Sequence, residues 1–214
     1  MFKKSIEVRK LSENNIIQVG SKRHTAELIE QFYAKNAFPN YEDFDTVYDV
    51  ENTLKQNKLV ASLKRSVGWR KRIIEVGSGT SQLSIALAIG TNNEIVAFDT
   101  TLESLRIGAA FGEKHGIDNC IFVNGDLIND PFLADYFDLV WCSGVLHHTE
   151  NAEKGFKTIT KWVRPDGYVI IGLYNLYGRM RTVFRQLLYR SLGKSKFGKS
   201  LLSLLDPVLR KRVS

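Results

Sequence analysis

From residue 72 onward, short runs of β-branched and aromatic residues alternate with segments of helical spacing. The runs are RIIEV (72–76), EIVAFD (94–99), CIFVN (120–124), FDLVWC (137–142) and GYVIIGLY (167–174). Each is apolar at successive rather than alternate positions, the pattern of strands covered on both faces. Between them lie helix-like segments at 81–90, 101–115, a short one at 130–135, and 150–163. Strand and helix in alternation predict an α/β fold: a doubly wound, mostly parallel sheet with helices on both faces. Ligands of such sheets bind beyond the carboxyl ends of the strands, which directs attention to the residues just after each run.

The chain before residue 70 reads differently. Ile6, Val8, Ile16, Ile17 and Val19 alternate loosely up to Gly20, which fits short strands or irregular structure. HTAELIEQFYAK places Ala26, Ile29, Phe32 and Tyr33 on one side of a helix that stops near Asn36. AFPNYEDFD then forms a Pro-containing aromatic loop, and a second helix is expected from about Val50 to Val67. After Tyr174, Met180, Val183, Phe184, Leu187 and Leu188 form an apolar stripe among arginines, and SLLSLLDPVLRKR closes the chain. Three segments follow: a helical and lid segment over 1–69, a core over 70–175, and a basic amphipathic helical tail over 176–214.

Composition bounds this picture. The 214 residues are 43% apolar and 11% aromatic, enough to bury a core and to exclude a disordered chain. The formal charge is +7, a balance that ordinarily points to an anionic partner. Yet residues 179–214 carry ten of the 30 basic residues and only Asp206 of the 23 acidic ones, so the first 178 are slightly acidic. The basic tail reads as an interfacial helix on anionic lipid, as a clamp over an acidic or lipid-like acceptor, or as a packing helix with solvated arginines. No apolar run reaches the roughly 18 residues of a membrane span, and the opening MFKKSIEVRK lacks a secretory apolar stretch. Cys120 and Cys142 are too few for a disulfide framework and lack zinc spacing. A reducing, cytoplasmic setting is expected, with peripheral membrane contact through 179–214 as a possible addition.

The strongest chemical signal is IIEVGSGTSQLSIALA (73–88): strand, glycine turn, helix. Gly77 and Gly79 permit close backbone approach to a ligand. The dinucleotide pattern G-x-G-x-x-G fails, because its last glycine would fall at Gln82. Glu75, two positions before the first glycine, suits a ligand with an ammonium or sulfonium group better than a pyrophosphate. Asp99, at the end of the second run, is placed to accept from ribose hydroxyls. Asn124, Gly125 and Asp126 end the third run, with a carboxylate for an exocyclic adenine amine. Each acid alone could equally cap a helix; three at successive strand ends beside a glycine turn favour a ligand site.

EVGSGTS, Asp99, NGDL (124–127), FDLVWCSGVLHH (137–148) and VRPDGYVIIGLYN (163–175) together resemble the class I S-adenosylmethionine-dependent methyltransferases, in their small-molecule type 11 and type 12 branch. The resemblance covers about residues 70–175 and implies a Rossmann-like sheet with S-adenosyl-L-methionine as cofactor. It places Glu75, Gly77, Ser78 and Gly79 at the methionine end, Asp99 with Thr100 at the ribose, and Asp126 with Leu127 at the adenine. Cys142, Ser143 and Gly144 would lie beneath the sulfonium. Ser81 replaces the family's third glycine and is expected to cap the following helix instead. The family's terminal antiparallel hairpin is missing from the sequence or replaced by helices, and an uncovered sheet edge would favour a homodimer.

The reaction implied is in-line methyl transfer to a small, apolar or isoprenoid-like molecule, O- or N-directed. His147 and His148 are the candidate bases, against a structural role in packing. A metal site at His147, His148 and Glu150 is poorly supported, and none is expected. Phe38 and Tyr41 form a candidate lid over acceptor and cofactor, or an aromatic staple. Trp141 reads as core. Cys142 lacks the Pro-Cys context of pyrimidine-activating enzymes, and the Asp/Asn-Pro-Pro-Tyr signature is absent, so a nucleic-acid acceptor is disfavoured. Two alternatives stay open: a non-catalytic cofactor-binding module in an assembly, and a nucleotide-dependent oxidoreductase.

Overall fold

A computed structural model describes residues 1–11, 15–21 and 46–173. The expectations for the helix over 24–35, for Phe38 and Tyr41, and for the 176–214 tail lie outside the described residues. Met1–Leu173 forms one compact unit.

Five strands pair in parallel in the order β5-β4-β3-β6-β7: β3 (Arg72–Val76), β4 (Glu94–Asp99), β5 (Cys120–Gly125), β6 (Phe137–Ser143) and β7 (Val163–Gly172). Two N-terminal strands extend the β5 edge. β2 (Ile17–Val19) runs parallel to β5, and β1 (Val8–Lys10) lies antiparallel on β2. β3 pairs with both β4 and β6, which makes its carboxyl end the point where the winding reverses.

Successive strand residues fill different layers, which is why the runs are apolar at every position. Ile73, Ile95, Ala97, Phe122 and Leu139 pack with Ile85, Leu105 and Val50 in one core. Ile74, Val96, Phe98, Val123 and Val140 pack with Ile159, Trp162 and Phe132 in the other. The first layer is supplied by α1 (Val47–Gln56), α2 (Lys58–Ser66), α3 (Gln82–Ala88) and α4 (Leu102–Lys114). The second belongs to α5 (Ala152–Trp162) and the first residues of the chain. The doubly wound sheet expected from the sequence is therefore present.

Three local expectations are corrected. The single helix expected over 50–67 is two helices, because the Asn57 side chain accepts from the N–H groups of Leu59 (3.1 Å) and Val60 (3.4 Å) and starts a new one. The short helix expected over 130–135 is instead a 3-10 turn at Leu127–Asn129. Asp130 has φ +50° and precedes Pro131, and Phe132 leaves the turn to bridge Phe2. The last strand begins at Val163 rather than Gly167. Its pairing with β6 shifts register between Phe137 and Leu139, so the strand carries a bulge where Pro165 has no N–H to donate and Asp166 has φ +62°.

At the amino end of the parallel strands, away from the glycine turn, Asp138 gathers three partners. It accepts from the Arg72 N–H (2.8 Å) and pairs with Arg164 (2.9 Å) and Lys71 (3.7 Å).

Candidate functional site

The turn after β3 is stitched to the end of β4. The N–H groups of Gly77 (2.8 Å) and Ser78 (3.2 Å) both donate to the Phe98 carbonyl. Gly79 N–H donates to Asp99 Oδ2 (2.8 Å), and Thr101 N–H to Asp99 Oδ1 (2.7 Å). These bonds hold the Asp99 carboxylate against the glycine turn at the carboxyl edge of the sheet. Gly77 has φ +74°, and a Cβ there would lie 2.1 Å from Val145 Cγ2, so only glycine fits.

Ser81 departs from its expected role. It sits at the N-cap of α3, yet its backbone is left-handed (φ +65°) and its side chain makes no capping bond. Its hydroxyl donates instead to Ser78 Oγ (3.3 Å). A serine here adopts the conformation a glycine would take, at a cost of about 1–2 kcal/mol, and is fully buried. The compensation lies on α4. A Cβ at Gly108 would come within 2.5 Å of the Thr80 carbonyl and 3.0 Å of Ser81 Cβ, so the missing side chain at Gly108 makes room for the turn.

Glu75 is buried one strand position from the turn, in register with Ala97 and Trp141. One of its oxygens accepts from both the N–H (2.9 Å) and the hydroxyl (2.6 Å) of Ser84. Burial pushes its carboxyl up to about 8, opposed by the two Ser84 bonds and assisted by the negative charge of Asp99. Asp126 is also buried, and its Oδ1 accepts from Ile128 N–H (2.9 Å), capping the 3-10 turn that begins at Leu127. Thr100 follows Asp99, its carbonyl taken by Asn124 Nδ2 (3.0 Å).

The loop after β6 completes the edge. Cys142 is fully buried, and burial pushes its thiol up to about 12, so it stays protonated at neutral pH. Ser143 ends the strand, and Gly144 N–H donates to the Gly172 carbonyl (2.9 Å). His147 and His148 lie together on the 3-10 turn Leu146–His148, ring centroids 4.1 Å apart, the first partly buried and the second exposed. Trp141 is buried in the strand, as read. Among the described residues no group of three or more His, Cys, Asp or Glu could hold a metal ion.

The structure thus brings Glu75, Gly77, Ser78, Gly79, Asp99 and Thr100 to one edge, with Asp126, Leu127 and Ser143 at the ends of the flanking strands. Ser84, Gly108 and Gln18 were not singled out from the sequence. Ser84 left one signal, a lone hydroxyl in the apolar stretch IALA and its flank, nine residues after Glu75.

A sheet of this order, with a glycine turn and an acid at the end of the neighbouring strand, is the Rossmann-like arrangement that the class I S-adenosylmethionine-dependent methyltransferases share with dinucleotide-binding folds. The chain belongs to that class, since residues 70–199 match the family described as Methyltransferase domain. S-adenosylmethionine is the cofactor of the class. Among curated relatives, it is 27% identical over 165 residues to a demethylmenaquinone methyltransferase of Renibacterium salmoninarum, covering 71% of this chain and 65% of that protein. It is 26% identical over 133 residues to a ubiquinone/menaquinone biosynthesis C-methyltransferase of Proteus mirabilis, covering 58% of this chain and 53% of that protein. The chain spans between 27% and 65% of the length of the first curated relatives it matches. Two solved structures share the fold: the [4+2]-cyclase SpnF, with TM-score 0.56 at 18% identity over 68% of this chain and 59% of that one, and YcgJ of Bacillus subtilis, with TM-score 0.53 at 19% identity over 69% and 68%. No helix among the described residues is long and apolar enough to cross a membrane.

Proposed function

We propose that the protein transfers a methyl group from S-adenosylmethionine to a small apolar acceptor bearing a quinol-like ring. The observation that carries the reading is the convergence of Glu75, Asp99 and Asp126 on the carboxyl edge, with Asp99 bonded to the glycine turn itself. This donor set fits the cofactor: an acid for an ammonium, an acid for a ribose diol, and an acid for an adenine amine. Glu75 with Gly77, Ser78 and Gly79 takes the methionine end. Asp99 and Thr100 take the ribose, Asp126 and Leu127 the adenine, and Ser143 the floor under the sulfonium.

When bound, S-adenosylmethionine supplies a methyl carbon already activated by its sulfonium. What the chain must add is alignment, which contributes much of the rate in a displacement of this kind. The acceptor must also lose a proton, whether from oxygen, nitrogen or a ring carbon. His147 and His148, on the 3-10 turn that follows β6, are the bases of this reading. The names of the quinone-directed relatives favour a ring carbon over the O- or N-directed transfer expected from the sequence.

The experiment is incubation of the full chain with methyl-labelled S-adenosylmethionine and a short-chain demethylmenaquinol. Label in the extracted quinol supports the reading. Cofactor bound without label in that acceptor or in a bacterial lipid extract contradicts it and favours a non-catalytic module. A cyclase shares this fold, so fold alone does not dictate methyl transfer.

A further inference from the structure

Asn124, the penultimate residue of β5, is a fully buried amide in register with Asp99 on one side and Gln18 on the other. Its Nδ2 donates to two carbonyls, those of Asp99 (3.1 Å) and Thr100 (3.0 Å). Its Oδ1 accepts from Gln18 Nε2 (3.3 Å). Two carbonyls on one side require the NH2 there, so the amide has one workable orientation, and Gln18 satisfies the remaining oxygen. The backbone it grips is the stretch that aims the Asp99 carboxylate and supplies the Thr101 N–H bonded to it. Just beyond β2, the Ser21 carbonyl accepts from Asn129 Nδ2 in the turn after Asp126.

We propose that Gln18 and Asn124 form a positioning relay through which the N-terminal β1–β2 hairpin sets the ribose-binding end of the cofactor site. The relay rests on the reading that the ribose lies at Asp99. Neither side chain need touch the cofactor. Asn124 fixes the β4 end, and Gln18 fixes Asn124, so the hairpin is part of the site rather than an edge decoration of the sheet. Loss of either side chain loosens the Asp99 backbone, so that a carboxylate still present is less well aimed.

The test is calorimetric titration of S-adenosylhomocysteine into the full-length wild type, Gln18→Ala and Asn124→Asp, with Gln18→Ala repeated in an Asp99→Asn background. Asn124→Asp keeps the side-chain size but turns an oxygen toward two carbonyls. Gln18→Ala is expected to weaken binding about 3- to 10-fold and Asn124→Asp about 10-fold or more. The KM for S-adenosylmethionine should rise by similar factors with kcat held, which a merely structural role would not produce. In the Asp99→Asn background, Gln18→Ala should change affinity less than about twofold, because the group it positions has already lost its charge. Wild-type affinity in Gln18→Ala, or an equal loss in both backgrounds, overturns the relay. Should Asn124→Asp fail to fold, Gln18→Ala, half-buried on a short strand, still decides. A wild type that binds no S-adenosylhomocysteine overturns the cofactor reading itself; a wild type that binds beside an unaffected Gln18→Ala overturns the relay alone.

Discussion

Ser84 clasps Glu75 twice, its N–H and its hydroxyl converging on the same carboxylate oxygen at 2.9 and 2.6 Å. The pair ties α3 to β3 across the glycine turn, so the helix that follows the turn and the acid that precedes it move together. Two donors on one oxygen would ordinarily favour the ionised form. Burial outweighs them here, and the carboxyl is pushed up to about 8.

This has a consequence for pH. Glu75 holds its proton in the folded protein between its ordinary carboxylate range and about 8, whereas the unfolded chain has released it. The folded state therefore binds more protons across that window, and stability of the cofactor-free protein falls as pH rises through it. Glu75→Gln should flatten this slope and raise Tm at pH 8 by about 2–4 °C for each kcal/mol relieved. A cofactor ammonium at Glu75 would favour the carboxylate, so S-adenosylhomocysteine affinity should rise from pH 6 to 8 with proton release, seen by calorimetry in buffers of different ionisation enthalpy. A pH-independent affinity would contradict placement of the ammonium at Glu75.

Two glycines on α4 should respond oppositely to the same substitution. Gly108→Ala drives a Cβ to 2.5 Å from the Thr80 carbonyl and should cost about 1–3 kcal/mol by overpacking, with loss of cofactor binding. At Gly112 the nearest atom, Phe122 Cζ, is at 3.4 Å, an ordinary contact. Gly112→Ala should be neutral or stabilise by up to about 1 kcal/mol through helix propensity. Urea denaturation of both variants checks the contrast.

Asp138 separates stability from function. Removing a largely buried carboxylate that serves Arg72 N–H, Arg164 and Lys71 leaves donors without their acceptor. Asp138→Ala should destabilise by about 2–3 kcal/mol. The residue lies at the amino end of the strands, so the KM for S-adenosylmethionine should stay within about twofold among molecules that fold. A large KM change would mean the two ends of the sheet are coupled.

The paired imidazoles can be told apart by rate. If His147 or His148 takes the acceptor proton, replacing that one with Gln should lower kcat about 100-fold or more, remove one limb of the pH–rate profile, and leave cofactor affinity unchanged. Equal, small effects of both substitutions would assign the pair to packing.

The strands were legible because burial on both faces demands apolar residues at every position, as in Ile73-Ile74 and Ile95-Val96. The acids at their ends were legible because a charge that interrupts such a run needs a reason. Local conformation was less so. Asn57 breaks a continuous helical pattern by capping, an outcome that depends on one side-chain rotamer. Phe132 leaves the expected 130–135 helix for partners far along the chain, Phe2 and Trp162. Ser81 was read by residue type as a cap, whereas its left-handed backbone is permitted by a glycine on another helix. Gln18 and Asn124 stand 106 positions apart. Only the pairing of β2 with β5 brings them together, and no local pattern announces it.

The most direct test is calorimetric titration of S-adenosylhomocysteine into the wild type and Asp99→Ala. A cofactor site at the carboxyl edge predicts one molecule bound per wild-type chain and a loss of about 10-fold or more on removing a charged ribose acceptor. Unchanged affinity in Asp99→Ala, or nicotinamide dinucleotide binding with no S-adenosylhomocysteine binding, would contradict it.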